Sequence, residues 1–177
     1  MSYDAVAESV RLLEGFPPSD VARLSRRVRF VPLAVDRDGD VAATCFLRRG
    51  VSGAALMDTH VLERTADRWR LLGGGGGPGD HALTPRPSRV ESGVAVCPGA
   101  GGVARSGNRL LPWRRRDDWI SFAEIRAARE VVVLRVGERI VPVAAHGCAV
   151  VVWTRRPPRV QALDAAGTVL GDVPVYP

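Results

Sequence analysis

Apolar positions near the start of the chain recur with a helical period. Val6, Val10 and Leu13 fall at i, i+4 and i+7, which predicts an amphipathic helix from about Ser2 to Glu14. Ser2 can cap it, and Asp4 sits in the first turn beside the positive end of the helix dipole. Gly15 and Pro17-Pro18 stop it. A short helical turn is expected from Ser19 or Asp20 to Leu24.

The period then changes to two. Arg27–Val35 alternates, Asp38-Gly39 is a turn signal, and Val41–Arg48 reads as the return strand. Gly50–Gly53 turns the chain into a third strand, Ala55–Arg64, and Ala66-Asp67 into a fourth, Arg68–Leu72. Five consecutive glycines follow, then Pro78, Gly79 and Asp80, so Gly73 to about Pro87 is expected to be a linker or long loop. Pro98–Asn108 reads as a second loop-rich stretch. Strand patterning resumes at Trp119–Phe122 and in Val131–Val136, which turns at Gly137-Glu138 and returns as Arg139–Val143. Cys148–Trp153 is apolar at every position, as in a strand covered on both faces. Arg159–Leu163 and Thr168–Val175 flank the turn Asp164–Gly167.

These elements predict an α+β, mainly β chain: an N-terminal helix on an antiparallel meander, followed by a C-terminal antiparallel β-sandwich. The expected organisation is a helix plus four-stranded unit over 1–77, a Gly/Pro-rich connection over 78–118, and a sandwich-like unit over 119–177.

Composition removes several chemistries. All 25 basic residues among the 177 are arginine. Without lysine there is no Walker A phosphate loop, pyridoxal-phosphate Schiff base or Ser-Lys dyad, and the glycine run has no lysine to complete a phosphate cradle. The net charge is +6, and arginines cluster at Arg26/Arg27/Arg29, Arg114–Arg116 and Arg155/Arg156/Arg159. Aspartates or prolines adjoin two of these clusters, and aromatics are too few for a base-stacking platform, so nucleic acid is not the expected partner. Cys45, Cys97 and Cys148 are an odd set without a C-x-x-C pair, and His60, His81 and His146 complete no zinc site. Free thiols in a reducing compartment, no metal and no cofactor are expected. No run of 18 apolar residues spans a membrane, and the first residues lack a basic-then-apolar leader, so a cytoplasmic location is expected.

The segments Asp58-Thr59-His60-Val61-Leu62-Glu63-Arg64 and Asp67-Arg68-Trp69-Arg70-Leu71-Leu72 resemble the closing strands of NTF2-like proteins. The resemblance covers residues 1–77 and implies a curved sheet whose concave face forms a pocket. From Glu130 onwards, Val160-Gln161-Ala162-Leu163-Asp164-Ala165-Ala166-Gly167 resembles immunoglobulin-like β-sandwich modules. The Ala-, Val-, Gly- and Arg-rich composition is similar to that of actinobacterial proteins. None of these likenesses carries a function across.

Candidate chemistry lies on the second and third strands. Pairing them about Gly50–Gly53 sets Cys45 opposite Met57, Thr44 opposite Asp58 and Ala42 opposite His60. One face then carries Val41, Ala43, Cys45, Leu47, Met57, Thr59 and Val61, a core face, and the other Thr44, Phe46, Leu56, Asp58, His60 and Leu62. If that second face is concave and covered, Asp58 and His60 can transfer protons to a small ligand, with Thr44 and Phe46 in contact with it. If it is open they form a solvated pair, and if it packs against the C-terminal unit the pair is structural. His146 and Cys148 share a strand face, but no acid stands near to orient the ring, so a capping or core role is expected.

The preferred expectation is a non-enzymatic, β-rich binding protein whose partner is another polypeptide or a second copy, with Trp113 as an exposed interface aromatic. The alternative is a small-molecule binder or enzyme using Asp58 and His60, distinguished by a pocket of about 300 Å³ or more over that face.

Overall fold

The computed structural model describes residues 3–83, 86–88, 90, 93–105 and 119–176. One helix, α1 (Ala5–Leu13), precedes the strands β1 (Phe30–Asp38), β2 (Val41–Arg49), β3 (Ala55–Thr65), β4 (Arg68–Pro78), β5 (Ala95–Ala104), β6 (Trp119–Ala127), β7 (Val133–Val136), β8 (Arg139–Pro142), β9 (Cys148–Trp153), β10 (Val160–Leu163) and β11 (Val169–Asp172). They form three antiparallel sheets, ordered β1-β2-β3-β4, β5-β6-β9 and β11-β10-β7-β8. The fold is α+β and mainly β, a helix on a meander with further antiparallel sheets behind it.

Helix α1 is shorter than its apolar period suggests. Its cap is Asp4, whose carboxylate accepts the Val6 and Ala7 N–H groups at 3.0 and 3.1 Å; Ser2 lies outside the described residues. The buried face is Ser9 and Leu12, and not the Val6/Val10/Leu13 stripe, of which Val6 is exposed. The Ser9 hydroxyl meets the Thr44 hydroxyl at 2.7 Å, both fully buried. Neither hydroxyl could be buried alone without a penalty of about 1–3 kcal/mol, so this contact sets the rotation of the helix. Residues 19–24 are extended and not helical: Leu24 N–H donates to the His81 carbonyl, and Arg23 bridges Ala82.

The β2–β3 pairing sets Thr44 opposite His60, Phe46 opposite Asp58 and Cys45 opposite Thr59. This is two residues away from the expected register, because the five-residue turn is residues 50–54, closed by Gly50 N–H on the Ala54 carbonyl, one position later than expected. A shift of two preserves the faces. Val41, Ala43, Cys45, Leu47 and Val61 accordingly lie in the core.

The middle sheet serves two cores. Ile120, Phe122, Cys148, Val150 and Val152 pack with the first sheet, including Val31, Leu33, Val41 and Val61. Ala123, Ile125, Ala127, Ala149, Val151 and Trp153 pack with Leu134, Val136, Val141, Val160 and Ala162 of the third. Every residue of β9 is buried, as its unbroken apolar run requires. The core under the first sheet is thus completed by residues beyond 119.

The first and middle sheets also meet along their edges, β1 beside β9 and β4 beside β5, and enclose the first core like a barrel with two seams. At the β1/β9 seam, the buried Asp36 accepts the Val152 N–H at 2.9 Å and both oxygens are held by Arg139 Nη1 at 2.7 Å. Arg139 Nη2 donates to the Val152 carbonyl at 2.9 Å. One ion pair therefore ties β1, β8 and β9, one strand from each sheet.

The other seam corrects the linker expectation. Gly73–Gly77 is strand, the second half of β4. A Cβ at Gly74 would overlap the Thr59 carbonyl, and one at Gly75 would stand 3.0 Å from the Phe122 ring. Glycine here marks a strand pressed against its neighbours. Strand β5, within the stretch expected to be a connection, follows the same rule: a Cβ at Gly101 would meet Phe122 at 3.0 Å, and one at Gly102 would overlap the Trp119 indole.

Candidate functional site

The face carrying Thr44, Phe46, Asp58 and His60 is covered by the chain's own N-terminus. Thr44 bonds Ser9 of α1, and Phe46 is fully buried. The Tyr3 ring packs on Phe46 and Phe30, and its hydroxyl shares a hydrogen bond with His60 Nε2 at 2.6 Å. Asp58 is ion-paired to Arg48. Each titratable group is therefore held by a different partner. Burial lowers the His60 pKa, with Asp58 opposing, and burial raises that of Tyr3. Proton transfer to a ligand from this pair would require Tyr3 and α1 to leave.

His146 and Cys148 do not form a nucleophile pair. His146 Nδ1 accepts the Cys148 N–H at 3.1 Å, so the ring caps the start of β9. Burial, reinforced by Arg126, pushes the ring down to about 4 and keeps it neutral. Burial raises the Cys148 thiol, although Arg126 Nη1 stands 2.8 Å from Sγ. Among the described residues no group of three His, Cys, Asp or Glu is placed to hold a metal ion, and no helix is long and apolar enough to cross a membrane. Of the arginine clusters, Arg159 pairs with Asp172 at 3.1 Å; Arg114–Arg116 and Trp113 lie outside the described residues.

A groove of about 620 Å³ opens instead at the β4/β5 seam. The two strands touch at one end, where a Cβ on Gly73 would stand 3.0 Å from Val103. Phe122 then fills the space between Gly75 and Gly101. Beyond it the strands part, and the groove runs along Gly75–Asp80 on one side and Pro98–Ala100 on the other. Its floor is Met57, Leu83, Phe122, Glu124, Arg126 and Cys148. Gly74–Gly76, Pro78, Pro98 and Ala100 are exposed. Each flanking strand is the last of its sheet, and among the described residues neither pairs on its outer side.

The polar floor comes from β6, whose register points Phe122, Glu124 and Arg126 to one side. Glu124 Oε1 accepts the Thr59 hydroxyl at 2.7 Å. Arg126 donates through Nη1 to the His146 carbonyl at 3.0 Å and to Cys148 Sγ. Neither Glu124 nor Arg126 was singled out from the sequence, and Cys148 was considered there only as a free thiol or a partner of His146. The available signal was a charged pair at i, i+2 continuing the face of Phe122, beyond the point where apolar patterning ends.

The chain matches no protein-family model, no curated protein and no solved structure.

Proposed function

We propose that the chain is a non-catalytic binding protein that takes an extended segment of a partner polypeptide into the β4/β5 seam. The observation carrying this reading is the pair of glycine-rich strand edges flanking a groove of about 620 Å³. Edge strands are usually guarded by charge, because bare main chain recruits other strands. Here Leu71–Pro78 and Ala95–Ala104 carry no charged residue. An extended peptide can bond the bare main chain of such an edge while its alternate side chains reach Met57, Leu83 and Phe122. The volume lies in the usual range for ligand sites, about 300–1,000 Å³.

Gly77→Trp tests the reading. A Cβ built at Gly77, which lines the groove, meets no atom within 4 Å, so a side chain can start there without backbone strain and its indole is directed to fill the groove. Random linear dodecapeptides displayed on phage are selected on the immobilised protein and counter-screened on this variant. Peptides that bind the native chain and lose at least tenfold on Gly77→Trp support the groove. Recovery of no peptide, or of peptides indifferent to the substitution, overturns it.

A further inference from the structure

We infer that the groove selects a segment carrying a cationic side chain, read by Glu124; this rests on the seam being the peptide site. Glu124 has Thr59 on one oxygen, and among the described residues it has no arginine within ion-pair distance of the other. That is notable in a chain with 25 arginines. The nearest cation in sequence on the same face, Arg126, lines the same groove but donates to the His146 carbonyl and Cys148 Sγ and not to Glu124. Its charge is committed there while the Glu124 carboxylate faces the groove.

Access to that carboxylate depends on Gly99. A Cβ at this position would stand 3.1 Å from Glu124 Oε2, so the glycine leaves the oxygen uncovered on the β5 side. Asp80, exposed on the opposite rim, adds a second carboxylate without an ion pair among the described residues. A guanidinium or ammonium entering between Gly76–Gly77 and Gly99 meets the Glu124 and Asp80 carboxylates against the single cation of Arg126, a net negative lining among the described residues, within apolar walls that strengthen the attraction. The charge is therefore complementary to a basic side chain and opposed to an acidic one.

The test uses two fluorescein-labelled octapeptides of alternating valine and threonine, one with a central arginine and one with norleucine in its place. Fluorescence anisotropy on the native chain should show the arginine peptide at least tenfold tighter. Glu124→Gln keeps an amide oxygen for the Thr59 hydroxyl and removes only the charge. It should bring the two peptides within twofold of each other, chiefly by weakening the arginine peptide. Raising the salt from about 0.05 to about 0.5 M should shrink the preference in the native chain through screening, which checks the charge without any substitution. A preference that survives both Glu124→Gln and salt, or no preference at all, overturns the cationic assignment and leaves the groove intact. Failure of both peptides to bind, or binding indifferent to Gly77→Trp, overturns the groove itself.

Discussion

Replacing Arg139 by leucine should be among the most damaging single changes outside the two cores. The substitution removes four donated contacts, two to Asp36 at 2.7 Å and one each to the Arg37 and Val152 carbonyls at 2.8 and 2.9 Å. It strands a carboxylate whose side chain is 4% exposed. Breaking a buried pair from one side costs about 3–5 kcal/mol. The Arg139 side chain is itself 26% exposed, so water reaches part of the gap and the lower end, about 3 kcal/mol, is expected. For a chain of this length that is a fall in Tm of roughly 6–12 °C. The loss should also depend on pH. Burial raises the Asp36 carboxyl above its ordinary range, and Arg139 is the main opposing influence. Without the guanidinium the folded-state value rises further, so the native form holds its proton more tightly than the unfolded chain does. Stability of the variant therefore falls as pH rises through that value, and the deficit against the native chain narrows on acidification. Urea titrations followed by circular dichroism at pH 7 and pH 5 measure both quantities. Asp36→Asn/Arg139→Leu, with no charge left to strand, should regain part of the loss. A deficit below about 1 kcal/mol at pH 7, or one that widens in acid, would refute the clamp.

Gly74→Ala should cost more than about 2 kcal/mol, since the added methyl overlaps the Thr59 carbonyl, whereas Gly77→Ala should lie within about 0.5 kcal/mol. Equal effects in thermal melts would mean the run is not pressed strand. His146 is held down at about 4 by burial, so the unfolded chain takes up its proton first and stability should fall as pH drops from about 6.5 towards 4. His146→Asn, whose amide oxygen can replace Nδ1, should flatten that slope; an unchanged slope rules out this histidine as the source. In a thiol-reagent assay the half-buried Cys97 should react in the native state, and the buried Cys45 and Cys148 only on unfolding. Two fast thiols would contradict the packing.

Where side chains carry the pattern, the sequence was legible. The six apolar residues of β9 announced burial on both faces, and the period of two on β2 and β3 sorted core from outer face even though the register was off by two. The covering of that outer face was not legible. Nothing in the residues around Asp58 and His60 says that Tyr3 will lie on them, because that contact spans 57 positions. Glycines hid the rest. The same run of five signals a flexible tether when judged by conformational freedom and a tightly packed strand when judged by close approach, and only the neighbours Thr59 and Phe122 decide between them. Strand β5 was missed for the same reason, and with it the groove.

The division of the middle sheet between two cores bears on how the chain is made. The apolar face of Val41, Ala43, Cys45, Leu47 and Val61 leaves the ribosome early, but its cover, Val150 and Val152, is encoded roughly 90 residues later. At about 5–20 residues per second, that face waits about 5–20 seconds without its partner. The helix cannot shield it, being on the opposite side of the sheet. During synthesis the first four strands therefore present a bare apolar surface and an uncharged, glycine-rich edge together, a combination suited to a holding chaperone or to self-association. Closure must then await pairings that span more than a hundred residues, such as Asp36 with Val152, which places this chain among slow folders.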